Sequence, residues 1–430
     1  MKDVKRIWMH GKVRVLRCLI HSISHLRLFV RWLILSLVAG LAIGGIGSLF
    51  ALCMTEAVAL RMEHPWIMYL LPLGGILIVL LYKLFRYQND RGTNMVIASI
   101  HAEGEIPWKM APMIFISTVI THLVGGSAGR EGAALQMGGS LGAVMGRKLK
   151  MCDTDRRVLV MCGMSAVFSA GFGTPLAAAI FAMEIGSVGV MYYAALVPCA
   201  VSSLTAWQLA VFLGVEHDDF ALQELPELSA SGALWVILLG VLCAGISVLF
   251  CMTLHKMNTI LKSILKNPYA RIAAAGCILI LISVLLGNQD FLGAGIPMIE
   301  RALHGEVVWY AFLLKILCTA ITIEAGYKGG EIVPSFFIGA TFGCLFGQIA
   351  GFSPSLCAAV GMVSIFCGVT NCPISSLLIG FELFGFQDPS YFLIGVAVSY
   401  MLSGYYGLYR DQRIVYSKYE PRYINRHTRS

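Results

Sequence analysis

GMSAVFSAGFGTPLAAAIFAMEI, residues 163–185, aligns without a gap to GMVSIFCGVTNCPISSLLIGFEL, residues 361–383. Gly163, Met164, Phe168, Pro175 and Glu184 match Gly361, Met362, Phe366, Pro373 and Glu382. Upstream, Gly129-Arg130-Glu131 faces Gly329-Gly330-Glu331, and Gly92-Thr93-Asn94-Met95-Val96 faces Gly293-Ala294-Gly295-Ile296-Pro297. Three blocks in the same order at nearly constant separation define an internal repeat, which decides the architecture. The expected division is 1–29, an N-terminal segment; 30–230 and 231–404, two membrane repeats; and 405–430, a pore-lining segment with a basic tail. Pro175 and Pro373 each suit the first turn of a helix. The matched placement of Glu184 and Glu382 favours a structural role over a proton relay.

The chain of 430 residues is 57% hydrophobic and 13% charged, with mean hydropathy +0.76. Soluble domains carry about 25% charged residues, so this is a polytopic membrane protein. Stretches 28–54 and 234–254 reach the length of a span, whereas 158–172 and 373–384 fall short of the roughly 20 residues a spanning helix needs. Glycine and proline interrupt many of them. In lipid, broken helices persist only where protein or a watery cavity satisfies the freed backbone groups. Interrupted segments at corresponding places in two halves point to a transporter site near the midplane.

The formal net charge of +8 gathers at the ends, from Lys2 to Arg31 and from Arg410 to Arg429. The positive-inside rule places both termini in the cytoplasm, together with the basic loop at 147–157. The acidic segment 216–227 then lies outside, and an odd number of crossings in the first half inverts the second. Anionic lipid headgroups account for basic tails beside apolar spans better than nucleic acid does. Ile7, Trp8, Val13, Leu16, Leu19 and Ile20 among basic residues suggest an amphipathic helix on the inner face. The first apolar run follows Arg27 and is too long for a cleavable signal. Thirteen cysteines are scattered singly, with no disulfide framework and no zinc spacing. Ten histidines form no metal motif; no metal or cofactor is expected. His122, on an apolar run, reads as a packed, hydrogen-bonded residue.

GGSAGREGAALQMGGSLGAVMG, residues 125–146, places Glu131 after Arg130 in apolar, glycine-rich sequence. Intramembrane carboxylates are expensive and tend to be functional. The run from Ala133 to Met145 reads as a helix, so Glu131 falls at its N-terminus, where unpaired N–H groups and the dipole favour an anion. Gly129 and Gly132 let a ligand approach the backbone. A tethered carboxylate there competes with a free anion; the plain alternative is a helix cap.

GREGAALQMGG (129–139), GGEIVP (329–334), GAGIP (293–297) and the PLAAAIFAMEI block together resemble the CLC family of chloride channels and anion/proton exchangers. The resemblance covers about 30–415 and implies an all-α inverted repeat of tilted, broken helices, forming a homodimer with one pore per subunit. Glu131 matches the gating glutamate. Tyr409 matches the inner-gate tyrosine, with Tyr406 as the alternative register. Thr93 stands where the family has the serine of GSGIP, and Glu331 and Ile332 where backbone N–H groups bind the anion. No CBS-type domain follows within the sequence, which is similar to a prokaryotic member in a bacterial inner membrane.

The departures are Ala133, the GTNMV block, Glu331 at a usually hydrophobic position, and Ile185 where an internal relay glutamate stands. Together they resemble the fluoride/proton antiporter branch, as do THLVGGSAGREG (121–132) and PSFFIGA (334–340); Val333 replaces that branch's common threonine. Fluoride is small and strongly hydrated, so its site must supply hard donors. Helix N-termini, the Thr93 hydroxyl and the Asn94 amide qualify. Phe336 and Phe337 offer ring edges, although core packing is the plainer role. The expected anion path comprises Thr93, Asn94, Gly129, Arg130, Gly132, Glu331, Ile332, Val333, Phe336, Phe337 and Tyr409, gated by Glu131. The expected partners are a small inorganic anion (fluoride or chloride), the proton, membrane lipids and a second copy of the chain. A chloride/proton exchanger or passive chloride channel is the alternative. An enzyme would need a nucleophile–base pair or a metal cluster, and neither is present in the sequence.

Overall fold

Glycine and proline divide the apolar sequence into helices that fall into two matching series. The computed structural model describes residues 2–87, 90–101, 103–217, 220, 222, 226–385 and 389–429, with side chains from residue 22 onward. The first series is α1 (Lys2–Glu63), α2 (Leu71–Leu84), α3 (Thr93–Ile100), α4 (Met110–Leu123), α5 (Glu131–Lys148), α6 (Asp153–Phe172), α7 (Pro175–Glu184) and α8 (Leu196–Phe212). The second is α9 (Ala230–Ile264), α10 (Pro268–Leu286), α11 (Ile296–Leu303), α12 (Ala311–Ala325), α13 (Ile332–Ala350), α14 (Pro354–Thr370), α15 (Pro373–Phe384) and α16 (Pro389–Leu402). Packing repeats as well: α5 lies on α6 as α13 lies on α14, and α1 on α8 as α9 on α16. Among the described residues six helical segments are long and apolar enough to cross a membrane, Ala230–Ile264 and Ile332–Ala350 among them. Others, such as the ten residues of α7, reach only about 15 Å, half a bilayer core.

Reciprocal contacts show that the two halves are inverted. Glu184, at the end of α7, accepts from the N–H groups of Ile374 (3.1 Å) and Ser375 (2.9 Å) at the start of α15. Glu382, near the end of α15, accepts from Leu176 and Ala177 at the start of α7, both at 2.8 Å. Equivalent helices therefore run antiparallel, each carboxylate capping the other's N-terminus. The same exchange occurs twice more. Gly129 N–H donates to Gly330 O at 2.8 Å and Gly330 N–H to Gly129 O at 2.7 Å. Ser127 N–H donates to Thr322 Oγ1 and Lys328 N–H to Thr121 Oγ1, each at 3.2 Å. Glu184 and Glu382 thus serve structure. Glu184→Ala leaves two N–H groups orphaned at a buried helix start, a loss of about 1–3 kcal/mol. It should lower the melting temperature while leaving anion flux per folded molecule near the parental value.

Where elements interrupt the expected runs, backbone chemistry explains why. The apolar stretch 175–213, long enough by sequence to form a single span, is divided: α7 and α8 are separated by strand β1 (Ser187–Val188) and a 3-10 turn at Tyr193–Ala195. β1 pairs in parallel with β2 (Arg413–Tyr416), which pairs antiparallel with β3 (Tyr423–His427). The helical fold thus carries a small sheet formed by its C-terminal segment and residues 187–188. At the other end, α1 continues without a break across residues 29 and 30. The apolar residues expected to form its amphipathic face, all before residue 22, lie outside the described side chains, and part of the acidic segment 216–227 lies outside the described residues. The helices α3 and α11 show a register different from the motif alignment. Gly92 (φ 60°) caps α3 and Gly295 (φ 87°) caps α11, so Gly92 corresponds to Gly295 rather than Gly293.

Candidate functional site

Two cavities approach each other at the centre of the repeat. One, of about 650 Å³, is walled by Arg61, His122, Arg130, Glu131, Ile296 and Val333 among others. The second, of about 480 Å³, is walled by Asp90, Thr93, Asn94, Gln136, Glu324, Lys328, Glu331 and Tyr409 among others. The Gly129–Gly330 bridge stands between them, at the starts of α5 and α13. It admits no side chains: a Cβ on Gly129 would lie 2.8 Å from Glu131 Oε2 and 3.1 Å from Val333 Cβ, and one on Gly132 would lie 2.8 Å from Gly330 Cα.

Glu131 is the first residue of α5 and is 2% exposed. Its Oε2 accepts from Arg130 N–H at 3.0 Å, and Oε1 lies 3.5 Å from Arg130 Nε. The carboxylate folds back onto the helix start, where main-chain N–H groups and the dipole otherwise receive an anion. Glu331 is the N-cap of α13 and faces the second cavity. A Cβ on Gly132 would be 3.5 Å from Glu331 Oε2, so this acid reaches toward the start of α5 from the far side of the bridge.

The second cavity holds the other polar residues. Thr93 opens α3 and is buried; its Oγ1 receives Gln136 Nε2 at 3.2 Å and sits 3.5 Å from Gly132 O. Asn94 Oδ1 accepts from Asp411 N–H at 3.1 Å, tying the α3 start to the C-terminal segment. Tyr409 is 2% exposed, and its hydroxyl has no hydrogen-bond partner among the described residues. Its backbone is held by Thr428 Oγ1, which donates to Tyr409 O at 2.6 Å, and by Leu408 N–H, which donates to Val369 O at 2.9 Å. Contacts from the residue after β3 and from Leu408 to α14 therefore fix the position of an aromatic side chain at the cavity wall.

A family model described as "Voltage gated chloride channel" matches residues 74–404. The chain belongs to the voltage-gated chloride channel family. Members of this family are transporters and channels rather than enzymes. A curated relative in the same family, the "Chloride/fluoride channel protein" of Pseudomonas syringae pv. tomato, is 34% identical over 396 residues, covering 90% of this chain and 88% of the relative. A solved CLC-type fluoride/proton antiporter is similar at 32% identity and TM-score 0.85, over 89% of this chain and 98% of that one. A slow cyanobacterial Cl−/H+ antiporter, at 20% identity and TM-score 0.72 over 87% and 94%, shares the fold.

Within this chloride-channel fold the expected site residues divide by position. Glu131, Arg130 and Val333 line the first cavity; Thr93, Asn94, Glu331 and Tyr409 line the second. Gly129 and Gly132 form the partition, and Ile332 is fully buried behind it. Phe336 and Phe337 line neither cavity wall. Phe336 stacks on Phe172 at 5.6 Å and meets Phe366 at 5.1 Å. Phe337 packs on Phe291 at 6.0 Å and beneath Lys315 Nζ at 5.0 Å. Tyr406 bridges to Arg429, so of the two registers it is Tyr409 that faces a cavity.

The structure adds residues that the motifs did not supply. Lys328 pairs with Asp90 at 2.7 Å and lies 4.6 Å over the Tyr82 ring. Glu324 accepts from Asn258 Nδ2. Lys328 directly precedes the GGE block and could have been read with it. Arg61 belongs to no motif, and His122 is buried as expected but only half satisfied: Nδ1 is 3.0 Å from Thr118 O, while Nε2 has no partner among the described residues.

Proposed function

We propose that this protein exchanges fluoride for protons across the membrane, exporting cytoplasmic fluoride, with Glu131 as the gate and proton carrier. The observation that carries the reading is the buried Glu131 carboxylate folded onto the start of α5 on the wall of the first cavity, beside the Gly129–Gly330 bridge. A deprotonated carboxylate occupies an anion's place; protonation removes the charge and releases it. Supporting this reading, relatives at 34% and 32% identity carry fluoride in their descriptions. Thr93 and Glu331 in place of the usual pore residues favour fluoride over chloride, since hard donors replace its hydration.

Thr93, Asn94, Gly129, Arg130, Gly132, Glu331, Ile332, Val333 and Tyr409 are proposed as the anion path, whereas Phe336 and Phe337 support α13 from the aromatic core. The chain is an integral membrane protein. We place it in a bacterial inner membrane as a homodimer with one pore per subunit, surrounded by lipid, with both basic termini cytoplasmic. The repeats are taken as 30–230 and 231–404. A second reading, chloride/proton exchange, is favoured by the "H(+)/Cl(-) exchange transporter ClcA" of Vibrio cholerae, 26% identical over 294 residues covering 64% of this chain and 62% of that one.

Efflux from loaded proteoliposomes under a pH gradient, followed with fluoride and chloride electrodes, separates the two. Fluoride efflux should exceed chloride efflux by about tenfold or more, the value of one charge-assisted contact. Equal or faster chloride flux overturns the fluoride reading. Glu331→Gln keeps the shape of the α13 cap and removes its charge, so it should lower the preference for fluoride or the exchange ratio at unchanged yield of folded protein. Parental flux and ratio would return Glu331 to a capping role.

A further inference from the structure

Arg61 sits in the last turn of α1, 5% exposed, on the wall of the Glu131 cavity. Its Nε and Nη1 have no hydrogen-bond partner among the described residues, and none of the described ion pairs involves it. The guanidinium is threaded between two left-handed glycine turns. A Cβ on Gly125 (φ 89°) would meet Nη1 at 3.2 Å, and one on Gly293 (φ 61°) would meet Nη2 at 3.0 Å. Lys315 Nζ donates to Gly293 O at 2.7 Å and braces that turn from behind. His122 lines the same cavity and is 2% exposed. Its Nδ1 faces the Thr118 carbonyl, so the proton belongs on Nδ1 and the unpartnered Nε2 presents a lone pair.

These groups state what they lack. The end of α1 favours a cation through its dipole, but that leaves the guanidinium N–H groups unsatisfied. A buried charge without a counter-ion is expensive. Water satisfies the donors and leaves the charge; an anion satisfies both. A bare anion would in turn be repelled by the Nε2 lone pair, whereas an anion that keeps a water is not, because the water can donate to it. Small, strongly hydrated anions fit that description.

We propose that Arg61 and His122 form an anion subsite separate from the seat of the Glu131 carboxylate, holding a small, partly hydrated inorganic anion. Arg61 donates to the anion, and a water of the anion's shell donates to His122 Nε2. The subsite stores an anion beside the gate and raises its local concentration there. The inference rests on the reading that an anion passes Glu131.

The test titrates sodium fluoride on each face of proteoliposomes in turn and records exchange for the parent, Arg61→Gln, Arg61→Lys and His122→Phe. Arg61→Gln should raise the half-saturating concentration about tenfold on one face only, with the limiting rate within about twofold. Arg61→Lys should recover most of that loss, and His122→Phe should shift the same face by about threefold, as a water-mediated contact is lost. An unchanged half-saturation in Arg61→Gln, or an equal shift on both faces, overturns the subsite and makes Arg61 a hydrated helix-end cation. If Arg61→Gln gives no folded protein, Arg61→Lys and His122→Phe decide, and parental half-saturation in both overturns it. A parent that moves chloride but not fluoride overturns the fluoride reading alone; the titration repeated in sodium chloride then judges the subsite by the same one-face shift.

Discussion

Glu131→Gln is expected to abolish proton-driven anion exchange. The carboxylate is 2% exposed and its Oε2 accepts from the Arg130 N–H at 3.0 Å, so it fills the place where the start of α5 would bind a free anion. Exchange requires that this place be vacated and that vacating it be tied to a proton. A titrating carboxyl does both, because protonation removes the charge that the helix start attracts. Glutamine keeps the length and the accepting oxygen but has no proton to take up. Proton flux should fall by a factor of about 10² or more, the range of a lost acid–base group. Anion flux either stops, with the amide still seated, or continues as a leak indifferent to the pH gradient. Fluoride and pH electrodes reading the same vesicles distinguish these outcomes. Exchange retained at the parental ratio would reduce Glu131 to a cap on α5.

Much of this geometry was legible because its chemistry is local. The prolines at 175 and 373 open α7 and α15, since proline has no N–H to lose at a helix start. The match between Glu184 and Glu382 signalled a structural pair, and each caps the other's helix. Glu131 fell at a helix start because the glycines before it cannot sustain a helix. Other features depend on contacts between distant segments. Gly92 and Gly293 share a motif position, yet the cap of α11 is Gly295; the helix start, not the letter pattern, sets the register. Arg61 resembles any basic residue ending a helix, and only the return of the Gly125 and Gly293 turns around it makes it a buried cation. Phe336 and Phe337, whose ring edges are the reason to expect them on the path, lie one turn beyond the α13 start and line neither cavity. Their neighbours are Phe172 of α6, Phe366 of α14 and Phe291 of the turn between α10 and α11, none of which the motif contains.

Gly163→Ala should prevent the protein from folding in the membrane, while Gly171→Ala, on the same helix, should not. Added to Gly163, a Cβ would meet the Gly138 carbonyl carbon at 2.9 Å and Gly142 N at 3.2 Å, with the Gly138 oxygen closer still. All three atoms are backbone of α5, so no rotamer change relieves the overlap; the two helices must separate. Overpacking costs about 1–3 kcal/mol where side chains can yield, and here about 3 kcal/mol or more is expected, because the small-residue contact is what lets these helices approach. At Gly171 nothing lies within 4 Å, and alanine should gain up to about 1 kcal/mol from helix propensity. The equivalent crossing behaves alike: a Cβ on Gly361 would meet Gly343 Cα at 3.1 Å and Gly339 C at 3.3 Å. Yield of monodisperse protein and melting temperature check Gly163→Ala, Gly171→Ala and Gly361→Ala, the last expected to fail as Gly163→Ala does. Any Gly163→Ala protein that does fold should transport poorly, since Gly138 lies about two turns from Glu131 along α5 and a displaced α5 carries the gate away from the Gly129–Gly330 bridge. A Gly163→Ala variant with parental stability and flux would show that the α5–α6 contact does not position Glu131.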